Sequence, residues 1–176
     1  MVRSYRDGDA PRLFEAVRES IAEVSRWLPW CHENYSIEES REFIRLRTAT
    51  SSVEEWYSFG VFARNDDTRL LGGVGLNFIN RVHKFGNLGY WARTGETGKG
   101  IASGASRLVA RFGFAEVGLQ RIEILTAVPN RASQRVAEKI GAVREGVLRK
   151  RLLIRDEPHD AVMFSLLRGD FAIDPK

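Results

Sequence analysis

Apolar residues recur at helical spacing in some stretches of the chain and at strand spacing in others, so an order of elements can be read directly. Leu13, Val17, Ile21 and Val24 repeat at three and four residues along one face, behind Asp9 as a cap and Pro11 in the first turn. They predict a first helix. After Trp27-Leu28-Pro29-Trp30, Ser36 and Glu39 form a capping-box pattern ahead of Phe43, Ile44 and Leu46, which predicts a second, shorter helix. Residues 56–63 and 69–78 are strand-like runs joined by Asn65-Asp66-Asp67-Thr68, a tetrad suited to a hairpin, and residues 87–93 form the next strand. Ile101, Ala105, Leu108, Val109 and Phe112 share a helix face that Gly118 ends, followed by a strand over residues 121–128. Pro129-Asn130 opens a helix carrying Val136, Ala137 and Ile140 that Gly141 closes, and residues 143–154 and 159–167 supply two last strands. The predicted order is β, α, α, β, β, β, α, β, α, β, β, with one parallel pair across the strand, helix, strand crossover.

Composition narrows the class. A chain of 176 residues with 43% hydrophobic content fits one domain over residues 1–176, with a core that needs neither disulfides nor metal. The net charge of +4 is spread among acidic residues rather than gathered into a patch, which argues against nucleic acid as a partner. Cys31 is the only cysteine, and His32, His83 and His159 lack the paired spacing of a zinc site, so no metal is expected. The N-terminus has no signal-peptide pattern and no segment reads as a membrane span, so no membrane association is expected and the cytoplasm is the expected location.

The most informative stretch is Thr97-Gly98-Lys99-Gly100-Ile101-Ala102, between an apolar strand and an amphipathic helix. Glycine lets the backbone turn tightly and approach a ligand, so consecutive N–H groups and the positive end of the following helix can face an anion. The same arrangement also describes an ordinary α/β connection, and the motif alone does not separate the two.

Joint occurrence does separate them. Gly89-Tyr90-Trp91, Gly98-Lys99-Gly100-Ile101-Ala102, Asn130-Arg131-Ala132-Ser133, Glu138-Lys139-Ile140-Gly141 and Glu145-Gly146 follow one another in the order and spacing of the GNAT superfamily of acyl-CoA-dependent N-acyltransferases. With Tyr5-Arg6-Asp7-Gly8-Asp9-Ala10 and Trp27-Leu28-Pro29-Trp30, the chain resembles the RimJ/RimL branch over nearly its whole length. It departs from that superfamily at Thr97, where Gln or Arg is usual, and at Ala142, where many members have Phe. It also has Ala137 where other branches place a tyrosine as general acid.

The resemblance implies an α/β fold with a mixed, mostly antiparallel sheet, a central splayed parallel strand pair and flanking helices. It further implies an acetyl-CoA-dependent N-acetyltransferase in which a primary amine attacks the thioester directly. Cys31, beside two tryptophans and without a basic partner, reads as an inert thiol rather than a nucleophile. The family pattern places Trp91, Ala92 and Arg93 along the pantetheine arm and the backbone of Gly98, Lys99, Gly100, Ile101, Ala102 and Ser103 around the pyrophosphate. The Lys99 side chain is either a phosphate contact or a solvated charge. Asn130 reads as a helix cap, a cofactor contact, or both. Ser133 carries the catalytic expectation, as a donor to the CoA sulfur, against the alternative that its hydroxyl only satisfies a free backbone group. Trp27, Trp30, His32, Glu33 and Tyr90 are the expected acceptor-side residues, with the tryptophans alternatively plain core and His32 and Glu33 alternatively plain surface residues.

No residue is identified as general base; Glu123 reads as the ion-pair partner of a neighbouring arginine. An α-amine with pKa near ~7.8 is partly neutral at pH 7, whereas a lysine amine near ~10.4 is not, so a site without a strong base favours an α-amine on a protein N-terminus or small molecule. The rival from another class is a CoA-binding module of the same fold that senses or assembles without acyl transfer. Oligomeric state stays open between monomer and homodimer.

Overall fold

The computed structural model describes residues 1–49 and 56–169. Its elements are β1 (Val2–Ser4), α1 (Ala10–Val24), α2 (Ile37–Ala49), β2 (Tyr57–Phe62), β3 (Leu70–Asn80), β4 (Phe85–Ala92), α3 (Ile101–Ala115), β5 (Arg121–Ala127), α4 (Arg131–Lys139), β6 (Val143–Ile154) and β7 (Glu157–Leu167), with 3-10 turns at Asp7–Asp9 and Thr94–Glu96. The seven strands form one sheet in the order β1-β2-β3-β4-β5-β7-β6. Every pairing is antiparallel except β4 with β5. The periodicity located each helix and strand to within a few residues; the bounds of β1, a three-residue edge strand, were too short to carry a period.

Local signals held where both partners are close in sequence. The capping box forms: the Ser36 N–H donates to Glu39 at 2.8 Å and the Glu39 N–H to Ser36 Oγ at 3.3 Å. The Asn130 side chain accepts from the Ser133 N–H at 3.1 Å and caps α4. Asp9 differs. It makes no side-chain cap bond on α1 and is instead taken by Arg3 at 2.6 Å, Arg12 at 2.9 Å and the Arg6 N–H at 2.9 Å, with 1% of its surface exposed. Two arginines offer a buried carboxylate more than a helix end does.

Two apolar cores hold the elements. One gathers Val74, Leu76 and Leu88 with Val109 and Phe114 of α3, Ile122 and Ile124 of β5, Ala137 of α4 and Phe164 of β7. Burying a ring the size of Phe114, which is fully enclosed, contributes roughly 1.5–3 kcal/mol. The other packs Leu13 and Val17 of α1 and Ile44 of α2 against Phe62, Leu70 and Tyr5.

An ion pair ties β5 to β6. Arg121 donates to Glu145 at 2.7 Å, and Ser165 Oγ donates to the same carboxylate at 2.7 Å. These bonds hold the Glu145 carboxyl down at about 2, against an ordinary value of 4.5. Because the folded-state value is depressed, the contribution is complete above about pH 4.5 and is lost as pH falls towards 2. The side chain is 38% exposed and screened by water, so Glu145→Gln is expected to cost less than about 1 kcal/mol at pH 7. Urea unfolding midpoints of the two proteins should converge as pH is lowered through that window.

Candidate active site

The parallel ladder between β4 and β5 lasts three residue pairs, Phe85 with Arg121, Gly86 with Ile122 and Asn87 with Glu123, and then stops. Beyond it β4 continues to pair with β3 as far as Ala92, and β5 with β7 as far as Ala127. The two strands therefore fork, and the β4 edge from Leu88 to Ala92 faces a gap with no ladder on that side. The first turn of α4 spans the fork. Tyr90 of β4 donates its hydroxyl to the Ser133 carbonyl at 2.9 Å, while Gln134 donates to the carbonyl of Val128 at 2.8 Å, just past β5.

The glycine turn closes one end. Gly98 and Gly100 adopt φ of +77° and +79°, the left-handed region that non-glycine residues rarely occupy. A Cβ at Gly98 would meet nothing within 4 Å, so the space in front of the turn is open. Gly100 is the N-cap of the 15-residue α3 and makes no side-chain cap bond, leaving the helix's first N–H groups and its positive end free to take an anion.

A cleft of about 1520 Å³ runs through the fork and is walled by Trp27, Trp30, His32, Tyr90, Trp91 and Ala92, by Gly98, Gly100, Ile101, Ala102 and Ser103, and by Asn130 and Ser133. Most of the expected site residues are thus brought onto one surface. Three are not. Arg93 sends its guanidinium to Glu19 and Glu15 of α1, both at 2.6 Å, and its N–H to the Leu71 carbonyl at 2.9 Å. Lys99 turns Nζ to Glu96 at 3.1 Å, and Glu33 is exposed with its carbonyl held by Arg18 at 2.6 Å. None of the three lies on the cleft wall.

Ser133 Oγ donates to the Tyr90 hydroxyl at 3.1 Å, so the tyrosine that sequence reasoning assigned to the acceptor is in direct contact with the expected catalytic serine. Burial pushes the Tyr90 phenol up to about 12, which keeps it neutral and able to donate. Nothing local pointed to this contact, since the partners are 43 residues apart. Ala137 is fully buried in the α4 interface, so that position builds core. Glu123 pairs with Arg121 at 2.8 Å as expected, but it stands at the root of the fork, where the ladder ends, and lines the cleft.

On the acceptor side an aromatic run continues from the fork. Trp91 meets Trp30 edge-on at 5.8 Å, and Trp30 meets Tyr35 at 6.2 Å. His32 Nε2 sits 2.8 Å from Glu39. Burial works against the Glu39 charge, but the Ser36 N–H and His32 outweigh it and hold the carboxyl below its ordinary value. Cys31 is buried, and its thiol is pushed up by desolvation, as suits an inert residue. Among the described residues no group of three or more His, Cys, Asp or Glu is placed to hold a metal ion, and no helix is long and apolar enough to cross a membrane.

A mixed seven-stranded sheet, forked at its one parallel pair and joined by a glycine turn to a helix, is the architecture of GNAT acetyltransferases. The family profile described as Acetyltransferase (GNAT) domain matches residues 1–143, and the chain belongs to that family. Among relatives, YdaF of Bacillus subtilis, provisionally named a ribosomal N-acetyltransferase, is 29% identical over 175 residues, covering 97% of this chain and 92% of that one. YjcK of the same organism, named as an N-acetyltransferase, is 35% identical over 137 residues, covering 77% and 75%. The structure of RimL, a ribosomal L7/L12 α-N-protein acetyltransferase in complex with coenzyme A, superposes with a TM-score of 0.84 at 22% identity over 94% of this chain and 92% of that one. At that identity the likeness shows the fold.

Proposed function

We propose that the protein transfers an acetyl group from acetyl-CoA to an α-amine, on a protein or peptide N-terminus or a small molecule. The observation that carries this reading is the fork in the sheet beside an open, left-handed glycine turn at a helix N-terminus. The free β4 edge from Leu88 to Ala92 suits the amide-bearing pantetheine arm, which can pair with it as a strand would. The backbone of Gly98 to Ser103 suits the pyrophosphate. That cradle works through main-chain groups, which is consistent with a Thr at position 97 and with a Lys99 side chain engaged elsewhere.

Acetyl-CoA supplies the activated acyl group. Ser133, on the cleft wall, serves as the catalytic donor: its one hydroxyl hydrogen, given to Tyr90 in the free protein, turns to the departing thiolate. A thiol with pKa near ~8.5 leaves readily, so a hydrogen bond is sufficient help. The His32–Glu39 pair is the candidate to take the amine proton, being an imidazole on the cleft wall fixed by a carboxylate. An α-amine asks less of that pair than a lysine does. RimL is named an α-N-protein acetyltransferase, which fits the same preference, and YdaF is named a ribosomal N-acetyltransferase.

A pair of peptides tests it by mass spectrometry: one with a free N-terminus and blocked lysines, the other with a blocked N-terminus and one free lysine. Faster acetylation of the first is expected, by about tenfold or more given the difference in neutral fraction. Equal or faster modification of the second overturns the α-amine preference.

A further inference from the structure

Arg47 of α2 faces the same cleft, and among the described residues its charge has no counter-charge. Its guanidinium lies 4.6 Å from the centre of the Trp56 ring and 5.5 Å from that of Phe43, and its Nε is buried with no hydrogen-bond partner. Guanidinium stays charged under all ordinary conditions, so a half-buried one normally has a carboxylate beside it. Desolvation by burial lowers the Arg47 pKa. Among the described residues, the carboxylates along the cleft are all engaged elsewhere. Glu23 accepts from Thr94, Glu39 from His32 and Ser36, Glu96 from Arg69 and Lys99, and Glu123 from Arg121. The other cations on the wall, Arg26, Arg135, Lys139 and Arg151, are exposed and solvated, so Arg47 stands apart from them.

Position links Arg47 to the reacting end. Phe43 meets the Tyr5 ring edge-on at 5.5 Å. Tyr5 and the Trp91 indole both crowd Gly73, where a Cβ would come within 3.1 Å of the Tyr5 hydroxyl and 2.5 Å of the Trp91 Nε1. Arg47, Phe43, Tyr5 and Trp91 all line the cleft, so aromatic side chains run from Arg47 towards Trp91, next to Tyr90 and the fork.

We propose that Arg47 is a specificity-determining residue that pairs with a carboxylate carried by the acceptor close to its amine, so that the preferred substrates are acidic amines. This rests on the reading of the cleft as an amine-acetylating site. Among the described residues this partly buried cation has no carboxylate partner, and a carboxylate from the acceptor is the chemistry that completes it, since charge-assisted bonds to guanidinium are directional and strong. A neutral acceptor would leave the charge uncompensated, and a cationic one would be repelled.

The test uses four short peptides: two with a free N-terminus followed by Asp or by Asn, and two with a blocked N-terminus and one free lysine next to Asp or to Asn. Wild type is expected to show kcat/KM about tenfold higher for the Asp member of whichever pair is acetylated, the factor a charge-assisted bond supplies. Arg47→Gln should erase that difference through the KM of the Asp peptide while the KM for acetyl-CoA stays unchanged, and Arg47→Lys should restore part of it. If only the lysine pair reacts, the α-amine reading fails, yet the Asp-to-Asn ratio in that pair still decides this proposal. An Asp member no better than its Asn partner, absence of turnover included, overturns it. So does a preference for Asp that persists in a folded Arg47→Gln protein.

Discussion

Gly100→Asp is expected to weaken acetyl-CoA binding by about 100-fold or more in a protein that remains folded. Two effects add. Residue 100 sits at φ +79°, where a side chain brings strain of roughly 1–2 kcal/mol. The carboxylate would also stand at the N-terminus of α3, in the space proposed for a pyrophosphate, where like charges about 4 Å apart repel by roughly 4 kcal/mol at an effective dielectric near 20. Gly100→Ala separates the two contributions. A methyl group there has Ser103 Oγ as its nearest neighbour at 3.8 Å, so it meets the strain alone and should retain most of the affinity. Calorimetric titration of both variants, with thermal melts to confirm folding, checks the result, and undiminished affinity in folded Gly100→Asp would remove the anion from this turn.

Ser133→Ala is expected to lower kcat by about 10- to 100-fold while acetyl-CoA affinity stays near wild type. A donor aimed at charge that develops only as the thioester breaks acts on the transition state, and removing such a donor appears in kcat rather than in ground-state binding. The cap of α4 is made by the Ser133 N–H to Asn130, which alanine preserves, so the helix start should survive the change. Tyr90→Phe provides the companion measurement. It deletes the hydroxyl that accepts from Ser133 Oγ and donates to the Ser133 carbonyl, so it should lower kcat by a smaller factor through loss of orientation. Steady-state kinetics on both variants decide the assignment, and unchanged turnover in Ser133→Ala would leave Ser133 a residue of the helix start.

What could be read in the sequence follows the distance between partners. The Ser36–Glu39 box and the Asn130 cap join residues three apart, and both were legible because the pattern and the partner occupy one turn. The glycine turn was legible for a similar reason, since left-handed backbone strongly selects the residue type. The ion pairs of Arg93 were hidden because its partners Glu15 and Glu19 lie 78 and 74 residues away on α1, and periodicity carries no information about that pairing. Tyr90 with Ser133, and Arg47 with Trp56 on the cleft wall, were hidden likewise: each depends on how α4 or α2 settles against the sheet.

The fork also bears on aggregation. Unpaired main-chain groups on a strand edge invite pairing with other proteins, and sheets usually guard their outer edges against it. Here the bare edge from Leu88 to Ala92 lies in the middle of the sheet, facing β5 across a gap that starts at one strand spacing, about 4.8 Å, and opens from there. A foreign sheet edge would have to enter between two strands already paired on their far sides, past the first turn of α4 that bridges them. The protein thus keeps a reactive edge available to a thin, extended molecule while withholding it from another folded chain.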